Sequence, residues 1–147
     1  MSRIAQFAMA ALVAAGSVLA APAVSLAADQ VIYSQEEGAS LCTDQRYLSK
    51  IVDRFGYQVR NVPNLPNVAI SDFNLIHQVR YEPVAERHPI ARLYCRATAS
   101  LSDGQQRQVW YLIEGRMGFA GFGDNVEFCV AGFDRWMVYN GRCRVLH

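Results

Sequence analysis

The sequence has no surplus of either charge. Lys and Arg together number 14 against 13 Asp and Glu, and the formal net charge at pH 7 is +1. Lysine is nearly absent, since Lys50 is the only one. Proteins that bind nucleic acid concentrate a basic surplus on one face. A chain without that surplus is not expected to have a nucleic acid partner.

Motifs for catalysis, metal binding and nucleotide binding are lacking as well. The glycine-rich run at residues 118–123 precedes a predicted strand and has no lysine beside it, whereas a phosphate loop precedes a helix. We interpret this run as a structural turn or bulge. The histidines, His77, His88 and His147, stand at no ligand spacing from the cysteines. The sequence therefore predicts neither a metal nor a cofactor.

The first 27 residues have the pattern of an export signal. Arg3 gives a positive start, residues 4–21 are almost entirely apolar, and Ser25 and Ala27 put small side chains before a cleavage site. A retained membrane anchor is the alternative, because about 20 apolar residues can span a bilayer. The run is rich in alanine, however, and no basic cluster follows it.

We therefore predict cleavage after Ala27, which leaves one exported domain over residues 28–147. The predicted location is periplasmic or secreted, with no stable membrane span after cleavage. A mature chain of this length is sufficient for one hydrophobic core.

Four cysteines follow the predicted signal: Cys42, Cys95, Cys129 and Cys143. An even number in an exported domain predicts disulfides. Zinc is the competing interpretation, but no two of these cysteines lie within four residues of each other. Four cysteines permit three connectivities.

Apolar periodicity predicts one helix in the mature chain, from Cys42 to about Tyr57. Its apolar stripe consists of Leu48, Ile51, Val52 and Phe55. We expect Ser40 or Thr43 to cap its start and Gly56 to lie near its end.

Strands are predicted after residues 61–67, an extended connection that contains Pro63 and Pro66. Alternating polarity indicates a strand over residues 73–81 and a short one over residues 125–130. An Asn140-Gly141 turn predicts a small terminal hairpin.

The strongest local pattern is a hairpin over residues 91–114, turned at Asp103-Gly104. A two-residue type I′ turn places Ser102 opposite Gln105 and Cys95 opposite Leu112. That register directs one set of side chains toward the helix: Leu93, Cys95, Ala97, Ala99, Leu101, Trp110 and Leu112. The other face then carries Tyr94, Arg96, Val109, Tyr111 and Ile113, either under a second layer or as a partner surface.

Cys95 on the helix side can meet Cys42, which leaves Cys129 for Cys143, although the other two connectivities stay open. The predicted fold class is α+β, with one N-terminal helix packed on an antiparallel sheet of four or five strands and two disulfides.

The C-terminal stretch GFDRWMVYNGRCRVL at residues 132–146, together with Tyr94-Cys95-Arg96, resembles a family of small exported bacterial proteins of unknown function. The resemblance covers about the last third of the chain. It supports export and the disulfide-bonded cysteines, but it brings no established activity and transfers no functional residue.

Candidate binding residues lie in the same stretch. Trp and Tyr stack on sugar rings, and with Arg they dominate protein interfaces. Arg135, Trp136 and Tyr139 therefore form one candidate patch, and Tyr111 and Arg96 on the hairpin another. They favour a non-enzymatic cell-envelope binding or accessory protein, whose partner is a protein or a glycan. In the competing interpretation, Trp136 plugs the open end of the core.

The alternative function is a small periplasmic hydrolase. His88, with the nearby carboxylate of Glu86, is the candidate general base, since a carboxylate can orient an imidazole. No nucleophile motif accompanies this pair.

Overall fold

A computed structural model describes residues 35–115 and 123–147. The predicted export signal with its cleavage site, and most of the glycine-rich run, lie outside these residues. Within them, no helix combines the length and apolar character needed to cross a membrane.

Two helices begin the described chain, α1 (Gln35–Cys42) and α2 (Gln45–Asn61). The Asp44 carboxylate caps α2 by accepting a hydrogen bond from the Arg46 backbone N–H at 2.8 Å. The helix ends at Val62, which is extended because it precedes Pro63. The predicted single helix from Cys42 to Tyr57, capped by Ser40 or Thr43, was therefore wrong at both ends.

Four strands form one antiparallel sheet in the order β1 (Ile70–Glu82), β2 (Arg92–Leu101), β3 (Gln106–Glu114) and β4 (Asn125–Val130). The α+β class with a four-stranded antiparallel sheet is confirmed. The short strand predicted over residues 125–130 is present as β4.

The turn between β2 and β3, closed by the pair Leu101 and Gln105, has three residues, 102–104, and not the predicted two. The Leu101 N–H donates to the Gln105 carbonyl at 2.8 Å. Gly104 has a left-handed φ of 80°, whereas Asp103 does not share this conformation. A type I′ turn needs two consecutive left-handed residues, so this loop is a type I turn followed by a glycine bulge.

The longer loop shifts the pairing by one residue. Cys95 lies opposite Tyr111, and Arg96 lies opposite Trp110. Because side chains alternate along a strand, this shift turns β3 over relative to the prediction. The residues predicted on the outer face, Val109, Tyr111 and Ile113, are buried in the main core, and Trp110 packs on the outer face with Leu112.

Strand β1, at the free edge of the sheet, is irregular. Its pairing with β2 shifts between Ile70 and Asp72, between Asn74 and His77, and again between Gln78 and Arg80. The predicted alternation over residues 73–81 is therefore broken, and each bulge redirects the side chains that follow. At the second shift, Leu75 has a left-handed φ of 51° and is 78% exposed.

Buried side chains form two clusters, one on each face of the sheet. The main core combines the stripe of α2 with the inner face of the sheet, and its largest members include Phe55, Ile51, Leu93 and Tyr111. The Tyr111 hydroxyl donates to the Cys42 carbonyl at 2.6 Å. The smaller outer cluster joins Tyr94, Leu112, Cys129, Cys143 and Leu146.

Residues 134–147, which we name the C-terminal segment, lie against this outer cluster. The predicted terminal hairpin is absent from them, and the only regular element is a single 3₁₀ turn, Arg144–Leu146. Met137, Asn140, Arg142 and Cys143 are left-handed, so no extended pair can form around Asn140-Gly141.

Both disulfides are present, and they join Cys42 to Cys95 and Cys129 to Cys143. The first ties the end of α1 to the centre of β2 in the main core. The second ties β4 to the C-terminal segment in the outer cluster.

Candidate functional site

A cavity of about 260 Å³ opens between α2, β4 and the C-terminal segment. Its lining is largely apolar and aromatic, with two guanidinium groups, an amide and a carboxylate. The lining residues are Arg54, Gln58, Val62, Phe128, Cys129, Val130, Phe133, Asp134, Arg135, Trp136, Val138 and Tyr139.

Helix α2 supplies one wall through Arg54 and Gln58, and its C-cap residue Val62 continues that wall. These positions are four residues apart, so they form one row along the C-terminal part of the helix. Arg54 donates to the Val126 carbonyl, and the Gln58 amide donates to the Phe133 carbonyl at 2.9 Å. Both side chains are thus fixed across the space between the helix and the chain that follows β4.

Phe133 anchors the start of the C-terminal segment. Its ring is buried and meets Phe55 of α2 edge to face, with the ring centroids 4.9 Å apart. Such edge contacts between aromatic rings are favourable beyond the area they bury. Phe133 therefore connects the lining of the cavity to the main core.

Tyr139 forms the inner wall from the side of the C-terminal segment. Burial raises the pKa of its hydroxyl, and the nearby carboxylates of Glu127 and Asp134 raise it further. Arg54 and a backbone hydrogen bond with Phe128 act in the opposite direction. The hydroxyl stays protonated at neutral pH and can serve as a hydrogen-bonding group.

Asp134 orders the turn that carries the rim of the cavity. Its carboxylate accepts a hydrogen bond from the Tyr139 backbone N–H, at 3.4 and 3.3 Å from the two oxygens. Its carbonyl accepts one from the Met137 N–H at 3.2 Å. Residues 134–139 are thereby closed into a compact loop that pushes the intervening side chains outward.

The rim is an exposed apolar patch. Trp136, Met137 and Val138 are consecutive in sequence and are 65%, 71% and 68% exposed. The exposure of Trp136 rules out the interpretation in which this residue plugs the core. Arg135, directly before it, is exposed and has no hydrogen-bond or salt-bridge partner among the described residues.

The structure brings together three of the five predicted binding residues: Arg135, Trp136 and Tyr139 all line the cavity. The other two lie elsewhere. Tyr111 is fully buried in the main core, so it is not available to a partner. Arg96 is exposed on β2, where its Nε donates to His77 Nε2 at 3.0 Å.

The candidate hydrolase residues lie in a surface loop. His88 and Glu86 are exposed in the loop between β1 and β2, where backbone bonds pair Ala85 with His88. Neither lines the cavity described above, nor the second one of about 170 Å³ between α2 and β1. Across residues 35–115 and 123–147, no group of three or more His, Cys, Asp or Glu is placed to hold a metal ion.

The sequence reasoning missed the wall formed by α2. Gln58 lies beyond the predicted end of the helix at about Tyr57, and Phe133 was considered only as part of the C-terminal motif. The four-residue spacing of Arg54, Gln58 and Val62 was the available signal, because it predicts one shared row. What that row faces depends on where the C-terminal segment lies.

No family model, curated protein or solved structure matches this chain. The resemblance to small exported bacterial proteins therefore stays a prediction, and the function is inferred from the geometry of the site.

Proposed function

We propose that this chain is a non-enzymatic binding protein of the bacterial cell envelope, which engages a protein partner through the cavity and its apolar rim. The periplasm is the proposed location, and the two disulfides support it because bridges persist in oxidising compartments. The observation that carries the proposal is the run of three exposed apolar residues, Trp136 to Val138, beside an open cavity.

The character of the rim favours a protein over a glycan. A sugar site places an aromatic ring among polar groups that bond the hydroxyls, whereas contiguous exposed apolar surface with a polar border is typical of protein interfaces. Here Met137 and Val138 extend the apolar surface beyond the Trp136 ring. The cavity gives an apolar side chain of the partner a place to insert.

Charge indicates the kind of partner. The C-terminal segment carries three arginines, Arg135, Arg142 and Arg144, against one acidic residue, Asp134. Asp134 is occupied by the Tyr139 N–H, and Arg144 by the Asn140 carbonyl at 2.7 Å. Arg135 remains open to carboxylates, which a guanidinium binds in a bidentate manner. We therefore propose an apolar anchor flanked by acidic residues on the partner.

The cavity offers contact surface and hydrogen-bond donors to a bound group. Its lining contains no histidine or serine, and its one cysteine is in a disulfide. The raised pKa of Tyr139 keeps that hydroxyl in its neutral form, which suits recognition better than proton abstraction.

Site-specific photo-crosslinking tests this proposal. A photoreactive residue at position 138 should crosslink one envelope protein in intact cells, whereas the same residue at exposed position 75 on β1 should not. Purified partner should then bind with an affinity that Trp136→Ala reduces by about tenfold or more, as expected for an interface anchor. The matched control is Leu75→Ala, which removes another exposed apolar side chain, at the opposite edge of the sheet.

Arg135→Glu should weaken capture, and added salt should reduce the difference from wild type. Arg87→Glu, an equal charge change in the exposed loop before β2, should have little effect. Binding of peptidoglycan fragments through Trp136, with no protein crosslinked, would replace the protein partner by a glycan. A crosslink that is equal at positions 138 and 75 would contradict the proposed site.

A further inference from the structure

The backbone of the C-terminal segment adopts left-handed conformations at several residues that are not glycine. Of the six left-handed residues other than glycine in the described chain, four lie in it: Met137, Asn140, Arg142 and Cys143, with φ between 54° and 60°. Such conformations are uncommon outside glycine and asparagine, and they persist where surrounding structure holds them. The segment therefore depends on its attachments to the rest of the protein.

Most backbone hydrogen bonds of the segment are internal. Asn140 N–H donates to Met137, Val145 N–H to Tyr139, and Leu146 N–H to Cys143. No strand of the sheet pairs with it in the described chain. Its non-covalent ties to the sheet are the packing of Leu146 and Tyr139 in the outer cluster, the ring contact of His147 with Trp110 at 4.3 Å between centroids, and two hydrogen bonds. These bonds join Arg80 to the His147 carbonyl at 2.7 Å and Tyr139 to the Phe128 backbone. The one covalent tie is the disulfide to Cys129.

The two disulfides differ in what lies around them. Cys42 and Cys95 are both fully buried in the main core, and neither lines the two cavities described above. Cys129 is 3% exposed and belongs to the lining of the candidate site. The cavity is therefore bounded by one residue of the second disulfide and by neither residue of the first.

We propose that the Cys129–Cys143 disulfide is a redox switch for the candidate site, an inference that rests on the proposed binding function. The reductant is a dithiol, either small or on a protein. One thiolate attacks Cys129 Sγ and forms a mixed disulfide, and the Cys143 thiolate leaves and takes up a proton. The second thiol of the reductant then displaces the Cys129 thiolate, which is also protonated, and the reductant is oxidised to its disulfide by two electrons.

Reduction removes the covalent link between the C-terminal segment and β4. Without that link, the left-handed residues of the segment are no longer held in their unfavourable conformations. Tyr139 and Trp136 then lose their fixed positions beside the cavity. Helix α2 and the sheet stay together, because Cys42–Cys95 and the main core are unchanged. Because a bound partner covers the cavity, binding and disulfide integrity are linked: the partner slows reduction, and reduction weakens binding.

Graded reduction with dithiothreitol, followed by alkylation and mass mapping, tests the order of opening. We expect Cys129–Cys143 to open first, and hydrogen exchange then to rise in residues 134–147 but not in α2 or β2. The Cys129→Ala/Cys143→Ala variant should show the same exchange pattern. Earlier opening of Cys42–Cys95, or unchanged protection of residues 134–147 after the second disulfide is cut, contradicts the switch.

Capture of the crosslinked partner separates this inference from the proposed function. Oxidised protein should bind, and partly reduced protein should bind about tenfold or more weakly, within the range of known coupling energies, with recovery on reoxidation. Oxidised protein that binds nothing refutes the proposed function. Oxidised and reduced protein that bind equally refute the switch and leave the binding function in place.

Discussion

The two faces of the sheet are stabilised in different ways. On the inner face, the apolar stripe of α2 and the side chains of the sheet form one extensive apolar core, which also contains the Cys42–Cys95 disulfide. On the outer face, a segment with one 3₁₀ turn covers a few side chains and is held by Cys129–Cys143. Regular secondary structure supports the fold, and covalent closure supports the surface that we propose binds a partner.

This difference shows why the candidate site lies where it does. A periodic helix or strand exposes apolar residues only at the cost of its own packing, because its apolar stripe is needed for the core. A turn closed by a disulfide needs less burial to stay ordered. The turn at residues 134–139 can therefore display Trp136, Met137 and Val138 to solvent.

The largest expected effect is loss of the inner disulfide. Cys42→Ala/Cys95→Ala removes a bridge across 53 residues, which the chain-entropy model values at about 4 kcal/mol, against about 3 kcal/mol for the separation of 14 in the outer disulfide. Urea denaturation followed by far-UV circular dichroism should show the larger loss for the inner pair. A larger fall in the free energy of unfolding on removal of the outer pair would show that the outer disulfide contributes more to stability, contrary to this prediction.

Core truncation should show the same ranking. Phe55→Ala deletes a fully buried ring that contacts Phe133, and we expect the free energy of unfolding to fall by about 3 to 5 kcal/mol. Leu146→Ala in the outer cluster should cost about 2 to 3 kcal/mol, because that cluster is small and can collapse around the change. Equal losses in thermal denaturation would contradict this ranking of the two faces.

Tyr111→Phe removes the hydroxyl that satisfies the Cys42 carbonyl, and should cost about 1 kcal/mol. Burial also raises the pKa of this phenol above its ordinary value. The unfolded chain therefore ionises first, so stability is intact below about pH 10 and falls as the pH rises above it. Denaturant titrations on either side of that pH should show a smaller decline for the variant than for wild type.

Trp136→Ala should have the smallest effect on folding, about 0.5 kcal/mol or less, because the side chain is exposed. Its effect on partner capture should be large by comparison. Parallel denaturation and binding measurements check this contrast, and a loss of stability as large as that of Leu146→Ala would place Trp136 among the structural residues.

Periodicity in the sequence was sufficient for the existence of α2, for strands β2 to β4 and for the fold class. The connectivity that the sequence favoured is the one present, because the alternation along β2 places Cys95 on the same side as Leu93 and Ala97, but the sequence left the two other connectivities open. The alignment of β3 could not, because Asp103-Gly104 fits both a two-residue and a three-residue loop. A single added residue moved Tyr111 from the predicted surface to the core.

The candidate site could be predicted only in part for a related reason. Trp136, Arg135 and Tyr139 were recognisable by residue type, but their neighbours come from α2 and β4. The path of the C-terminal segment depends on left-handed Arg142 and Cys143, for which the sequence carries no signal. The cavity is defined by that path, so its other wall was not foreseeable.

The edge strands of the sheet determine how readily two copies of the protein can associate edge to edge. Along β4, Arg54 takes the Val126 carbonyl, and Tyr139 bonds with the Phe128 backbone, so these groups are not open to a further strand. Along β1, the bulges and left-handed Leu75 interrupt any straight ladder. Exposed edge strands with unpaired N–H and C=O groups can pair with strands of other chains and so promote aggregation. These features leave less regular backbone for edge-to-edge pairing at both borders of the sheet.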